Sequence, residues 1–169
     1  MGGYVLLIVA VALERLAELV VSRRNRAWSR AHGGLEFGAG HYPVMVVLHT
    51  GLLAGCLVET IALHRPFIAA LGWPMLAIVL AAQGLRWWCI ATLGRQWNTR
   101  VVVVPGAARV TRGPYRFLSH PNYVAVVAEG AALPLVHTAW VTALVFTGLN
   151  AALLTTRVKV ENAALAGLT

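Results

Sequence analysis

GRQWNTRVVVVPGAARVTRGPYRFLSHPNY, residues Gly94 to Tyr123, divides two strongly apolar blocks of this chain. It holds five arginines and three prolines, and a bilayer core would reject it. Val101 to Val104 is β-branched and ends at Pro105-Gly106, which reads as an extended piece followed by a turn. Thr111-Arg112-Gly113-Pro114 reads as a second turn. His120 precedes a proline and is biased toward extended backbone. Pro121 suits the first turn of a helix, where its missing N–H costs nothing. His120 and Tyr115 then lie just outside a helix N-terminus, whose free N–H groups can hold an anion. The other reading of this segment is an amphipathic linker whose Arg and Tyr side chains touch head groups.

Outward from the segment, the chain is 59% hydrophobic and 12% charged. A soluble domain carries about 25% charged residues. The composition points to an all-α integral membrane protein of one domain, residues 1–169. The formal charge is +8, carried largely by arginine, and no Asp is present. The arginines cluster between apolar blocks, so membrane topology explains them better than nucleic acid does. A span needs about 20 apolar residues. Spans are expected at 4–21, 42–63 and 67–93. The block after Tyr123 is too long for one span. Pro134 and His137-Thr138 divide it into a helical hairpin, 123–135 and 138–156, although a single kinked helix also fits. Loop arginines alternate between rich and poor: 22–40, 94–120 and the tail are rich, the turns near 64 and 134–139 are poor. That pattern gives five spans, an outside N-terminus, a cytoplasmic C-terminus and a cytoplasmic connector at 94–122, in the cell membrane. The first apolar run lacks a basic n-region and a small-residue cleavage site, so it reads as a retained helix.

Several polar residues fall inside the apolar blocks. Arg86, Glu129 and Glu59 are costly in lipid and are candidate functional groups. Arg86 and Glu129 reach similar depths and are expected to pair, as a structural ion pair or in catalysis. Glu59 is expected to snorkel at the outer end of its span. Arg157 and Glu161 are four apart and share a helix face, which alone suggests a surface pair at a fraying helix end. The tryptophans read as an interfacial belt. The cysteines, Cys56 and Cys89, read as small core residues. The histidines lack metal-ligand spacing, and no metal is expected. No Gly-rich nucleotide fingerprint follows a strand, which argues against a nicotinamide reductase.

The motifs have an order. Leu85-Arg86-x-Trp88 and Leu93-Gly94-x-x-Trp97 precede GPYRFLSHPNY, an apolar hairpin, and Arg157-x-x-x-Glu161-Asn162-x-x-Leu165. From about Gly84 onward this resembles the isoprenylcysteine carboxyl methyltransferase family of membrane methyltransferases. The HPNY box, the Glu-Asn tail and Leu133-Pro134-Leu135 look most similar to a bacterial branch that O-methylates alkylpyrones or alkylresorcinols. The resemblance implies S-adenosylmethionine as cofactor and S-adenosylhomocysteine as product. It implies cofactor contacts at Ala107, Ala108, Arg109, Val110, Tyr115, His120, Pro121, Asn122, Tyr123 and Glu161. It implies that Arg157 faces the methyl-accepting group of a lipid or lipophilic small molecule; Arg86 and Glu129, from their place inside the apolar runs, are the further catalytic candidates. Ser119 stands where the family usually has Arg. Asn162 stands where prenylcysteine enzymes tend to have an acid, which speaks against a prenylcysteine acceptor. Esterification of a prenylcysteine carboxylate and a non-enzymatic membrane role are the alternatives.

Overall fold

The computed structural model describes residues 1–167. Five helices dominate: α1 Gly2–Ala31, α2 His41–Ala62, α3 Ala69–Leu93, α4 Pro121–Leu135 and α5 Trp140–Ala166. Single 3₁₀ turns lie at Gly94–Gln96 and Gly113–Arg116. Among the described residues, three helical stretches are long and apolar enough to cross a membrane: His41–Ala62, Ala69–Gln96 and Trp140–Ala166. The chain is thus a largely helical multi-pass membrane protein. Large apolar side chains such as Leu6, Leu13, Val47, Leu80 and Leu144 point outward, as a lipid solvent allows.

The expected first span lies inside α1, but the helix runs ten residues past Val21 and carries Arg23, Arg24, Arg26 and Arg30. Glu14, Arg15 and Glu18 interrupt its apolar run. α4 has 15 residues, about 22 Å at 1.5 Å per residue. Pro121 occupies its first turn, as its ring geometry favours. Pro134 does not merely kink a helix: α4 ends at Leu135 and α5 starts at Trp140, so the block is a hairpin.

That hairpin turn is fastened to the turn between α2 and α3. The His137 Nδ1–H donates to the Arg65 carbonyl at 2.9 Å, and the Thr138 hydroxyl donates to the Pro66 carbonyl at 2.7 Å. Glu59 corrects the snorkelling expectation. It is 7% exposed and accepts from the Val141 and Thr142 backbone N–H groups and the Thr142 hydroxyl. Arg65 completes the pairing at 2.8 Å. Glu59 therefore caps α5, where free N–H groups and the helix dipole favour a carboxylate.

The core joins Tyr4 and Ile8 of α1, Leu52 and Cys56 of α2, Val79 of α3, Leu133 of α4 and Phe146 of α5. A side chain at Gly130 would strike the Phe146 ring, so glycine sets how closely α4 and α5 approach. Both cysteines are fully buried.

The fold is not purely helical. Leu35–Phe37 (β1) and Val101–Val103 (β2) form an antiparallel ribbon, with Leu35 opposite Val103 and Phe37 opposite Val101. The extended run was legible, though it pairs one residue short of Val104. Its partner strand was not expected. The Arg100 guanidinium pairs with Glu36 and lies 3.9 Å from the Tyr42 ring centroid. Asn25 donates to the Gly94 and Trp97 carbonyls at 3.0 and 2.7 Å. Connector residues are thereby strapped to α1 and to the start of α2.

Candidate active site

A cavity of about 680 Å³ opens beneath this strap, bounded by all five helices and the connector. Of the expected cofactor residues, Ala107, Arg109, Val110, Tyr115, His120, Asn122, Tyr123 and Glu161 line it. Ala108 and Pro121 do not. The Ala108 carbonyl accepts from Gln96, and Pro121 is buried as the first residue of α4.

Gly113 explains how Tyr115 arrives there. Its φ is +59°, and a Cβ would fall on the Thr92 side chain and near Trp88. Only glycine lets the connector turn this closely against α3. Tyr115 then lies against Cys89, and burial pushes its phenol pKa up.

The α4 N-terminus meets the last turns of α5. Tyr123 donates to Glu161. His120 Nδ1 lies 3.5 Å from the same carboxylate, and its Nε2 faces the Asn162 side-chain oxygen at 3.1 Å. The His120 and Tyr123 rings stack at 5.5 Å. The hydrogen bond to Glu161 holds the His120 pKa above its ordinary value.

Arg157 departs from the surface-pair expectation. It is 5% exposed, and among the described residues no carboxylate lies within ion-pair distance of it. It donates to the Thr99 carbonyl at 2.9 Å and to the Met45 sulfur at 3.3 Å, and its Nε is unpartnered. Arg157 also lies 5.9 Å from the Tyr123 ring centroid, so among the described residues this buried guanidinium on the cavity wall has a ring contact but no carboxylate partner, an environment that favours an anion. The helix does not fray here: α5 continues to Ala166.

Arg86 and Glu129 are paired, as their matching depth suggested. The pair belongs to a larger cluster. Arg15 donates to Glu129 at 3.0 Å and to Glu18 at 2.7 Å, and Gln83 and Glu14 join them. Arg15, Glu18 and Arg86 line the cavity, whereas Glu129 sits behind it beside Val11 and Gly130. Sequence alone missed Arg15 and Glu18 as partners, because they come from α1, far from Arg86 and Glu129 along the chain. It also missed Trp97, 3% exposed and on the cavity wall rather than in an interfacial belt.

The residues present fit a polar cofactor at the connector end of the cavity. Trp97 Nε1, both amide atoms of Asn98, Asn122 Oδ1 and Arg157 Nε are buried without protein partners, and all four residues line the cavity. Buried polar atoms without partners are costly, so the connector end suits a polar ligand. The opposite walls are apolar, with Val46, Leu53, Val126, Leu153 and Leu154.

No solved structure matches the chain. It is 37% identical to the uncharacterized protein YpbQ of Bacillus subtilis over 95% of both chains. It is 24% identical to an uncharacterized protein of Haemophilus influenzae, over 91% of this chain and 90% of that one. The family model for isoprenylcysteine carboxyl methyltransferases matches residues 75–167, the stretch that supplies α4, α5, most of α3 and the whole connector. The chain belongs to the isoprenylcysteine carboxyl methyltransferase (ICMT) family, which makes a membrane methyltransferase its supported identity.

Proposed function

We propose that this protein transfers a methyl group from S-adenosylmethionine to an oxygen of a lipophilic acceptor at the cytoplasmic face of the cell membrane. The observation that carries the reading is the position of Arg157. It is a buried cation, with no carboxylate partner among the described residues, between a polar cavity end rich in unpartnered atoms and an apolar wall. The arginine-rich loops support five spans, an outside N-terminus and a cytoplasmic connector. α1 and α4 would be the two less regular spans.

When bound, the cofactor supplies an electrophilic methyl on a sulfonium. Glu161, Asn122, Asn98 and the Ala107–Val110 stretch would hold its polar groups, and Tyr115 and Tyr123 would pack around it. Arg157 holds the anionic oxygen of the acceptor. The methyl group would pass to that oxygen as the bond to sulfur breaks, so positioning and water exclusion by these residues would carry the rate. β2 closes the roof over this point. A carboxylate or an acidic enol needs no base. A phenol would lose its proton to His120 when that ring is neutral. Arg86, held by Glu129 and Glu18, acts as a positioning residue for the wall opposite. A lipid carboxylate, that of a prenylcysteine included, an enol and a phenol each present an oxygen for Arg157 to hold.

The test is methyl transfer from labelled S-adenosylmethionine to a panel of lipid acids, phenols and enols. Arg157→Ala should lose on the order of a hundredfold in turnover. Its thermal stabilisation by S-adenosylhomocysteine should stay close to that of the unaltered protein. If S-adenosylhomocysteine does not stabilise the unaltered protein, a non-enzymatic role replaces this reading.

A further inference from the structure

The cavity does not end at Arg157. It continues inward along α5, past Leu154 and Leu153, to Asn150. Seven residues, close to two turns, put Asn150 on the same face and roughly 10 Å deeper. Asn150 is 2% exposed, and its Oδ1 has no partner. α2 runs antiparallel to α5 here, with Met45 beside Arg157 and His49 one turn further in. His49 Nδ1 lies 2.9 Å from the Met45 carbonyl. A carbonyl only accepts, so Nδ1 carries the proton, and in the neutral ring Nε2 presents a lone pair. The His49 ring meets Phe146 edge-on at 5.3 Å, one turn of α5 from Asn150. Two hydrogen-bond acceptors thus share the inner end of the cavity. The charged groups nearby are spent on each other: Arg15 on Glu18 and Glu129, and Arg86 on Glu129.

A plain hydrocarbon tail reaching this depth would leave Asn150 Oδ1 unpaired and press against Arg15 and Glu18. We propose that the inner end of the cavity is a second polar subsite, which takes a hydroxyl group carried by the acceptor roughly 10 Å from the oxygen that is methylated. The acceptor is then a molecule polar at both ends with a short apolar middle. This rests on Arg157 being the site of the accepting oxygen. The two polar positions are unequal: Arg157 takes the anion, while Asn150 and His49 take a neutral donor.

The probe is a series of ω-hydroxy fatty acids set against plain fatty acids of equal chain length, with full-length protein in detergent. Binding is read by thermal shift in the presence of S-adenosylhomocysteine, and methyl ester formation by label transfer. One hydroxy acid of matched length should bind on the order of tenfold tighter than its plain counterpart. Asn150→Leu should erase or reverse that preference, and stabilisation of the variant by S-adenosylhomocysteine reports that its fold survives. Equal binding of the two series, including none by either, overturns the subsite. If S-adenosylhomocysteine stabilises the protein but the series are equal, the subsite fails and the methyltransferase reading stands. If the hydroxy acid is preferred through Asn150 but no methyl ester forms, the subsite stands and a carboxylate is excluded as the methylated group; if S-adenosylhomocysteine does not stabilise the protein either, the methyltransferase reading fails.

Discussion

Glu129 and Glu161 are both carboxylates of the family-matched half, and their surroundings differ in kind. Glu129 is 5% exposed, in the middle of the helix bundle, and is held by two guanidinium groups. Glu161 lies at the cavity mouth, with a side chain 31% exposed, and is met by an imidazole and a phenol. Around Glu129 the strong donors are committed to protein acceptors. In the cavity that Glu161 lines, the amide oxygen of Asn122 and both amide atoms of Asn98 have no protein partner. A committed cluster joins helices. An uncommitted one is arranged for something that arrives.

The sharpest way to break this contrast is to remove each carboxylate. Glu129→Ala leaves the buried Arg86 and the half-buried Arg15 guanidinium groups without their shared anion and should cost about 3–5 kcal/mol of stability. Thermal unfolding in detergent measures it, and a loss no larger than that of a surface substitution would make Glu129 dispensable to the bundle. Glu161→Gln should leave the fold nearly intact. Its affinity for S-adenosylhomocysteine should drop tenfold or more, since a charge-assisted hydrogen bond is worth about 1.5–3 kcal/mol. Calorimetry would reverse the division of roles if affinity held while melting collapsed.

The smallest expected effect concerns pH. His120 has its folded pKa raised by Glu161, so the folded state holds this proton more tightly than the unfolded chain does. Its stabilising contribution is fully present below the ordinary histidine value of about 6.5. It is lost as pH rises through the higher folded value. The Tm difference between the protein and His120→Gln should therefore shrink with rising pH. A difference that grows instead would mean that His120 is held neutral at the cavity mouth.

Legibility followed the range of the interactions involved. The apolar blocks, Pro121 at a helix start and the β-branched run were visible because each depends on neighbouring residues. The Arg86–Glu129 pair was visible because matching depths in two adjacent spans leave few partners. The local sequence alone suggests a surface pair for Arg157, since it shows only Glu161 one turn away; only the family resemblance put Arg157 at the site. Its true partners, Thr99 and Met45, come from the connector and α2. Glu59 was misread for the same reason: its donors are the free N–H groups of a helix some eighty residues further on. The three-residue strand at Leu35 carries too little pattern to announce its pairing with Val101–Val103.

By itself the sequence determined that this chain lives in a membrane, which segments are apolar, where the arginine-rich loops fall and which motifs carry the family likeness. Those are sums over local hydrophobicity and charge, and they need no partner. Only the tertiary structure decided that Arg157 is buried with no carboxylate partner among the described residues, that Glu59 caps α5, and that Asn150 lies two turns below Arg157 on one cavity wall. The physical reason is that a polar group's cost in a protein interior depends on whether a partner reaches it, and in this fold the partners come from distant helices.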